Sequence, residues 1–359
     1  MENLVVKTFN DQYRGKRVLV TGHTGFKGSW LVTWLTQMGA IVKGYALEPD
    51  TIPNHIDLLK IDIDSECNDI TDLDKLKNAV GGFRPEMVFH LAAQSLVRKS
   101  YRSPVETYSS NVMGTLHLLE ACKETSSVKA VVIVTTDKVY QNKEEHIAYK
   151  ETDRLGGHDM YSSSKACAEI LTSSYVNSFL ADGEMKIATA RGGNVIGGGD
   201  WCQDRIIPDI IRAYSNTRKL EIRSPQSVRP WQHVLDCLSG YLTLGAQLLV
   251  GNKTGAWNFG PSGNKFITVG EVVQKAKSHF PGLEFDLANA DLHEAKLLML
   301  DSSEANDLLN WNPILSEAET FQFTFDWYSS FYNNNKIDTH NQIEQYVKLA
   351  EQRKATWVK

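Results

Sequence analysis

The segment KRVLVTGHTGFKG (16–28) constrains the fold more than any other part of the chain. An apolar run ends in glycines spaced G-x-x-G-x-x-G, and the helix-period stretch GSWLVTWLTQMG (28–39) follows at once. A continuously apolar strand is buried on both faces, which requires helices above and below a parallel sheet. Glycines at such a turn permit a tight bend and let the backbone approach a pyrophosphate. Free N–H groups at the helix start then face the phosphates. Glycines alone are a weak signal; the strand before and the helix after make dinucleotide binding the reading.

The alternation continues. Apolar runs at 41–47, 86–93, 130–136 and 185–193 are interleaved with helix-length spans at 106–124 and 161–180. This predicts an α/β fold, a Rossmann-type doubly wound parallel sheet. After residue 194 the pattern changes to a glycine loop (197–199), Pro- and Arg-bearing segments, and helical runs at 234–250 and 268–280. A smaller C-terminal substrate lobe, interleaved with the last sheet elements, is expected. The expected boundaries are 1–193 plus about 234–260 for dinucleotide binding and 194–233 plus about 261–332 for the lobe. Residues 333–359 read as a linker, NNN, and a terminal helix.

Composition narrows the function classes. Lys and Arg total 38 against 43 Asp and Glu, a formal charge of −5, which argues against a nucleic-acid binder. The five cysteines are scattered without a C-x-x-C, so neither a metal site nor a disulfide frame is indicated. No secretory leader or membrane-length apolar run is legible, and a soluble, cytoplasmic protein is expected.

Two stretches carry chemistry. Tyr161 and Lys165 stand four apart in a helical span, so the ammonium lies near the phenol and favours phenolate. The run AVVIV (130–134) ends in Thr135, Thr136, Asp137 and Lys138: hydroxyls, a carboxyl and an amine at one strand end. In the glycine loop, Lys27 is a cation that favours an extra phosphate, while Glu48 lies just past the strand end where an acid usually holds the ribose. The residues alone leave NAD and NADP both open. His23 reads as readily as a solvated loop residue as a functional one.

The set TGHTGFKG (21–28), HLAAQSLV (90–97), NVMGT (111–115), TTDKVY (135–140), YSSSK (161–165) and RGGNVIGGGDW (191–201) resembles the extended short-chain dehydrogenase/reductase family. Within it, the chain is similar to the nucleotide-sugar 4,6-dehydratases, from Gly15 to Tyr332. Thr136-Asp137-Lys138, in place of Thr-Asp-Glu, resembles the branch acting on CDP-glucose, as do YKETDRLGGHDMYSSSKA (149–166) and RPWQHV (229–234). The resemblance implies NAD as cofactor and CDP-glucose as substrate. It implies Tyr161 as the base at the sugar 4-hydroxyl, Thr136 as a hydrogen bond to that oxygen, and Lys165 as holder of the cofactor ribose. Asp137 would be the acid at C6, and Lys138 occupies the position of the usual base at C5. A lysine is a base only when neutral and a carboxyl an acid only when protonated. Lys138 either takes the C5 proton or stays charged and stabilises the enolate.

The same resemblance assigns Gly22, Thr24, Gly25, Phe26, Lys27, Gly28, Asp69, Ile70, Leu91, Ala92 and Ala93 to the cofactor. Ser95, Asn194, Arg205, Arg223, Arg229 and His233 fall to the substrate, the arginines because guanidinium forks grip phosphate. Trp201, Trp231 and Trp257 are candidates for base stacking or, for at least two, core. Met160 stands where the family usually has proline, which loosens the helix entry. A 4-epimerase shares all but Asp137 and Lys138, and a catalytically silent dinucleotide sensor would not need Tyr161 and Lys165. A homodimer or dimer of dimers through the helices at 106–124 and 161–180 is expected.

Overall fold

The computed structural model describes residues 8–181, 183–222, 225–251, 253–261, 267–287 and 297–358. Seven strands make the central sheet: β1 (Arg17–Thr21), β2 (Ile41–Ala46), β3 (Asp64–Cys67), β4 (Met87–His90), β5 (Ala130–Val134), β6 (Lys186–Gly192) and β7 (Gly255–Phe259). Their spatial order is β7-β6-β5-β4-β1-β2-β3, every pair parallel. All carboxyl ends therefore share one edge. The chain reverses its winding between β1 and β4, and a crevice opens there.

Side chains alternate across a strand, and the two faces carry separate cores. Val18, Val20, Phe89, Val132 and Ala190 pack with Trp30 and Trp34 of the helix Phe26–Gln37 and with the helix Val234–Val250. Leu19, Val88, Val131, Ile133 and Ile187 face the helices Leu73–Phe83 and Gly114–Lys123 on the other side. Each fully buried aliphatic side chain of this kind contributes roughly 1.5–3 kcal/mol. Burial on both faces is the reason these strands read as unbroken apolar runs.

The span 106–124 is not one uniform helix. The helix Pro104–Tyr108 passes into a π-helical turn, Ser109–Met113, before Gly114–Lys123. Such turns re-aim side chains, often at functional sites. Here Asn111 accepts from Gln94 N at 2.8 Å and donates to Ser164 Oγ at 2.9 Å, joining the loop after β4 to the helix Met160–Phe179. Beyond the sheet, short strands pair 194–196 with 231–233, 220–222 with 285–287, and 148–149 with 299–300.

The NNN segment is not a linker. Asn333 and Asn334 finish the helix Glu317–Asn334, and Asn335 caps it in the left-handed region at φ 50°. The terminal helix Thr339–Gln352 then docks on the core through Ile343, Tyr346, Val347 and Ala350. Asp236, buried, receives Ile314 N at 2.6 Å and the Tyr346 hydroxyl at 2.7 Å, so one carboxyl ties two C-terminal segments to helix 234–250. Among the described residues no helix is long and apolar enough to cross a membrane.

Burial pushes the Asp236 carboxyl up to about 7. An acid with a raised folded-state pKa stabilises the fold below its unfolded pKa, and that contribution is lost as pH rises toward 7. Asp236→Asn is expected to flatten the fall in unfolding free energy between about pH 4 and pH 7, a linkage on the order of 4 kcal/mol. Urea titrations across that range, wild type against variant, measure it.

Candidate active site

The glycine loop leaves β1 at the carboxyl edge. Gly22 has φ +75°, and a Cβ there would stand 2.6 Å from the Ala92 backbone nitrogen. A Cβ at Gly28 would meet the Gly22 carbonyl oxygen at 2.1 Å. Only glycine permits so close an approach of β1, the loop after β4 and the following helix. Gly25 is the helix N-cap and offers no side-chain partner, so the N–H groups of Phe26, Lys27 and Gly28 have no cap. Thr24 Oγ1 donates to the Leu47 carbonyl at 2.9 Å and ties the loop to the end of β2. Leu91, Ala92 and Ala93 run half-buried after β4, with Leu91 and Ala92 against Gly22. Past β3, Ile70 is buried and the exposed Asp69 carboxylate accepts Thr71 N at 2.8 Å. Uncapped N–H groups and a cradle that a methyl would fill fit the phosphates of a dinucleotide.

A cavity of about 880 Å³ continues from this loop, its walls including Thr136, Asp137, Lys138, Tyr161, Asn194 and Arg205. β5 stops at Val134, and Thr136 caps the turn Asp137–Val139 by accepting Lys138 N at 3.4 Å. The Thr136 hydroxyl donates to Asp137 Oδ1 at 3.0 Å. Asp137 is 1% exposed, and its Oδ2 has no hydrogen-bond partner in the protein. A buried carboxyl oxygen left so in a cavity wall suits a donor on a ligand. Lys138 Nζ lies 3.7 Å from Asp137 Oδ1.

Tyr161 and Lys165 share one face of helix 160–179. Asp159 caps that helix, accepting Ser162 N at 2.9 Å and Ser162 Oγ at 2.7 Å. The cap restrains the helix entry where Met160 stands in place of proline. Burial raises the Tyr161 phenol to about 12, with a hydrogen bond to Thr136 working against the rise. Burial, then the charge of Lys27, lower Lys165 to about 7. The Lys165 Nζ donates to the Val134 carbonyl at 3.1 Å.

Arg205 joins two further wall residues. Its guanidinium donates to Asp200 Oδ2 at 3.0 Å and to Ser95 Oγ at 3.0 Å. Arg229 reaches the same cavity from the strand Val228–Arg229, and Trp231 lines it as well. Trp201 and Trp257 are core residues.

Residues 19–323 match the family model described as GDP-mannose 4,6 dehydratase. This chain belongs to that dehydratase family. It is 47% identical, over 93% of its length and 97% of the relative's, to the CDP-glucose 4,6-dehydratase of Salmonella typhimurium. The solved structure of MoeE5 in complex with UDP-glucose and NAD superposes with a TM-score of 0.74 at 27% identity, covering 87% of this chain and 98% of that one. A UDP-glucose 4-epimerase from Thermotoga maritima shares the fold at a TM-score of 0.78 and 22% identity, over 89% of this chain and 100% of that one.

Within this dehydratase framework, three expected roles are revised. His233 is buried outside the cavity: its Nδ1 accepts Leu235 N at 3.2 Å, and its ring packs between Trp30 and Phe323. Burial holds it at about 3, a neutral helix cap. Lys27 turns inward, its Nζ 3.4 Å from the Tyr241 hydroxyl and in the cavity wall, rather than toward an extra phosphate at the end of β2. His23 is not solvated. It is 1% exposed and bonds Ser65 Oγ at 2.7 Å. Arg223 lies outside the described residues. Glu169 and Arg191 are not among the candidates above, although an arginine inside the buried strand MKIATARGG is a signal for a buried partner. Among the described residues no His, Cys, Asp and Glu cluster is placed to hold a metal ion.

Gly22→Ala places a methyl against the backbone of Ala92. It is expected to weaken dinucleotide binding at least about tenfold, since both the left-handed turn and the close approach are lost. Calorimetric titration of NAD, with thermal unfolding as the control for folding, measures the loss.

Proposed function

We propose that the protein removes water from CDP-D-glucose to give CDP-4-dehydro-6-deoxy-D-glucose, with NAD as a recycled cofactor. The carrying observation is the strand end itself: Asp137, buried with an unpaired oxygen, and Lys138 stand in one cavity wall with Tyr161 and Thr136. A 4-epimerase needs only Tyr161, Lys165 and Thr136, so the extra acid and amine favour dehydration. The likeness to the Salmonella typhimurium CDP-glucose enzyme supports the nucleotide.

The residues Gly22, Thr24, Gly25, Phe26, Lys27, Gly28, Asp69, Ile70, Leu91, Ala92 and Ala93 would hold NAD, with Lys165 at its ribose. NAD, once bound, would supply positive charge that favours the Tyr161 phenolate and a reversible two-electron acceptor for the hydrogen that moves from C4 to C6. Tyr161 takes the proton from the 4-hydroxyl while Thr136 holds that oxygen. The resulting ketone acidifies C5. Lys138, neutral at that moment, takes the C5 proton, and Asp137 protonates the departing C6 oxygen. Protons balance: two leave the sugar, from O4 and C5, and two return, to the departing water and to C5. Lys138 returns its proton to C5, and Asp137 regains one through solvent as Tyr161 gives up the proton it took from O4, so each group recovers its starting state. Ser95, Asn194, Arg205 and Arg229 face the sugar nucleotide.

In this reading residues 1–193 with about 234–260 carry the cofactor and 194–233 with about 261–332 the sugar nucleotide. The terminal helix Thr339–Gln352 docks on the first of these. A cytoplasmic homodimer or dimer of dimers, supplying dideoxysugars for a surface polysaccharide O-antigen, completes the proposal. The exposed Val105 and Ile170, on the helices Pro104–Tyr108 and Met160–Phe179, are apolar surface that a second copy would cover.

Incubation with CDP-glucose, dTDP-glucose, UDP-glucose and GDP-mannose in deuterated water decides the substrate by mass spectrometry and NMR. Loss of one water from CDP-glucose, with deuterium at C5, is the expected result; a 4-epimer with no water lost contradicts it. Lys138→Ala should slow water loss about 100-fold while NAD affinity stays near wild type.

A further inference from the structure

Helix 160–179 carries a second charged residue on the face of Lys165. Glu169, one turn on and 4% exposed, accepts three hydrogen bonds: Thr135 Oγ1 at 2.5 Å, Thr189 Oγ1 at 2.7 Å and Arg191 NH2 at 2.8 Å. Arg191, also buried, donates through NH1 to the Tyr140 hydroxyl at 2.8 Å and the Glu151 carbonyl at 3.0 Å. The Tyr140 hydroxyl in turn donates to Asn258 Oδ1 at 2.7 Å. Asn258 donates to the carbonyls of Tyr149 at 2.9 Å and Asp301 at 3.0 Å. The chain of bonds begins next to Thr136 and ends on the segments that shape the cavity beyond it.

We propose that Glu169 and Arg191 are positioning residues of the dehydration reaction: a buried ion pair that fixes the catalytic strand end and the 140–155 wall of the cavity relative to each other. The inference rests on the proposed reaction for what is positioned, and on geometry alone for how. Period-two alternation turns Thr135 toward Glu169 when Thr136 is turned toward Tyr161. Losing the Thr135 bond frees the strand end to rotate, and a small misplacement at a reacting centre is costly to rate. A buried ion pair is an uncertain source of stability, because desolvation offsets the attraction. Of its direct partners, Thr135, Tyr140 and Glu151 lie on the strand end and the 140–155 segment, and Thr189 lies on the neighbouring β6. Neither residue touches the cavity, so neither is catalytic.

Deleting either charge leaves the other buried and unpaired, so the test uses Thr135, where one hydroxyl changes and the ion pair stays. Thr135→Val should lower kcat for CDP-glucose at least about tenfold with KM within about twofold. Amide hydrogen exchange over 134–141 should quicken, while that of helix 234–250 does not. Thr135→Ser keeps the hydroxyl and should restore most of the turnover and the slow exchange. A Thr135→Val protein with wild-type kcat and exchange overturns the proposal, as does equal loss in the Ser variant. If Thr135→Val fails to fold, Tyr140→Phe removes one Arg191 bond from the wall, and faster exchange over 148–155 is expected; unchanged exchange there overturns the proposal. Wild-type protein that leaves CDP-glucose unchanged would sink the functional reading, and the exchange data would still decide the positioning.

Discussion

Two side chains of one helix hold the end of β5. Lys165 donates to the Val134 carbonyl, and Glu169 accepts from the neighbouring Thr135 hydroxyl. The next residues, Thr136, Asp137 and Lys138, fold into a short turn whose side chains border the cavity. Everything chemical in the site depends on that anchoring. A parallel sheet brings all strand ends to one edge but leaves each of them a free turn. Here the helix that supplies the phenol also fixes the strand that supplies the acid and the amine, so the two cannot drift apart.

The electrostatics follow from the same geometry. Lys27 and Lys138 line the cavity whose wall holds Asp137 with one unpaired oxygen, and Lys165 is buried behind it. Burial lowers Lys165 to about 7 and raises Tyr161 to about 12, so at neutral pH the phenol keeps its proton until further positive charge arrives. The Asp200–Arg205–Ser95 bridge then closes the far wall with polar groups that are already paired. A site built this way is poised rather than active before its ligands bind.

Much of this was legible in the chain. Continuous apolar strands announced burial on both faces, and the glycine spacing announced the close approach at Gly22 and Gly28, because only one residue type satisfies that contact. Tyr161 and Lys165 were legible from helical spacing, and Asp137 with Lys138 from their place at a strand end. What was not legible depends on long-range packing. The π-turn at 109–113 that aims Asn111 has no local signature in the run SSNVM. His233 looked available beside Arg229, but the parallel pairing of 231–233 with 194–196 delivers it to Trp30 and Phe323. The NNN run has linker composition, yet Asn is also a residue that tolerates the left-handed cap it forms.

In the proposed reaction one cavity oxidises the sugar, expels water and restores the cofactor without releasing the intermediate. CDP-glucose labelled with deuterium at C4 tests it most directly. The expected product carries the label at C6, has lost water, and holds a solvent hydrogen at C5, all seen by NMR. Label retained at C4 with water still on the sugar, or label lost to solvent, would contradict it.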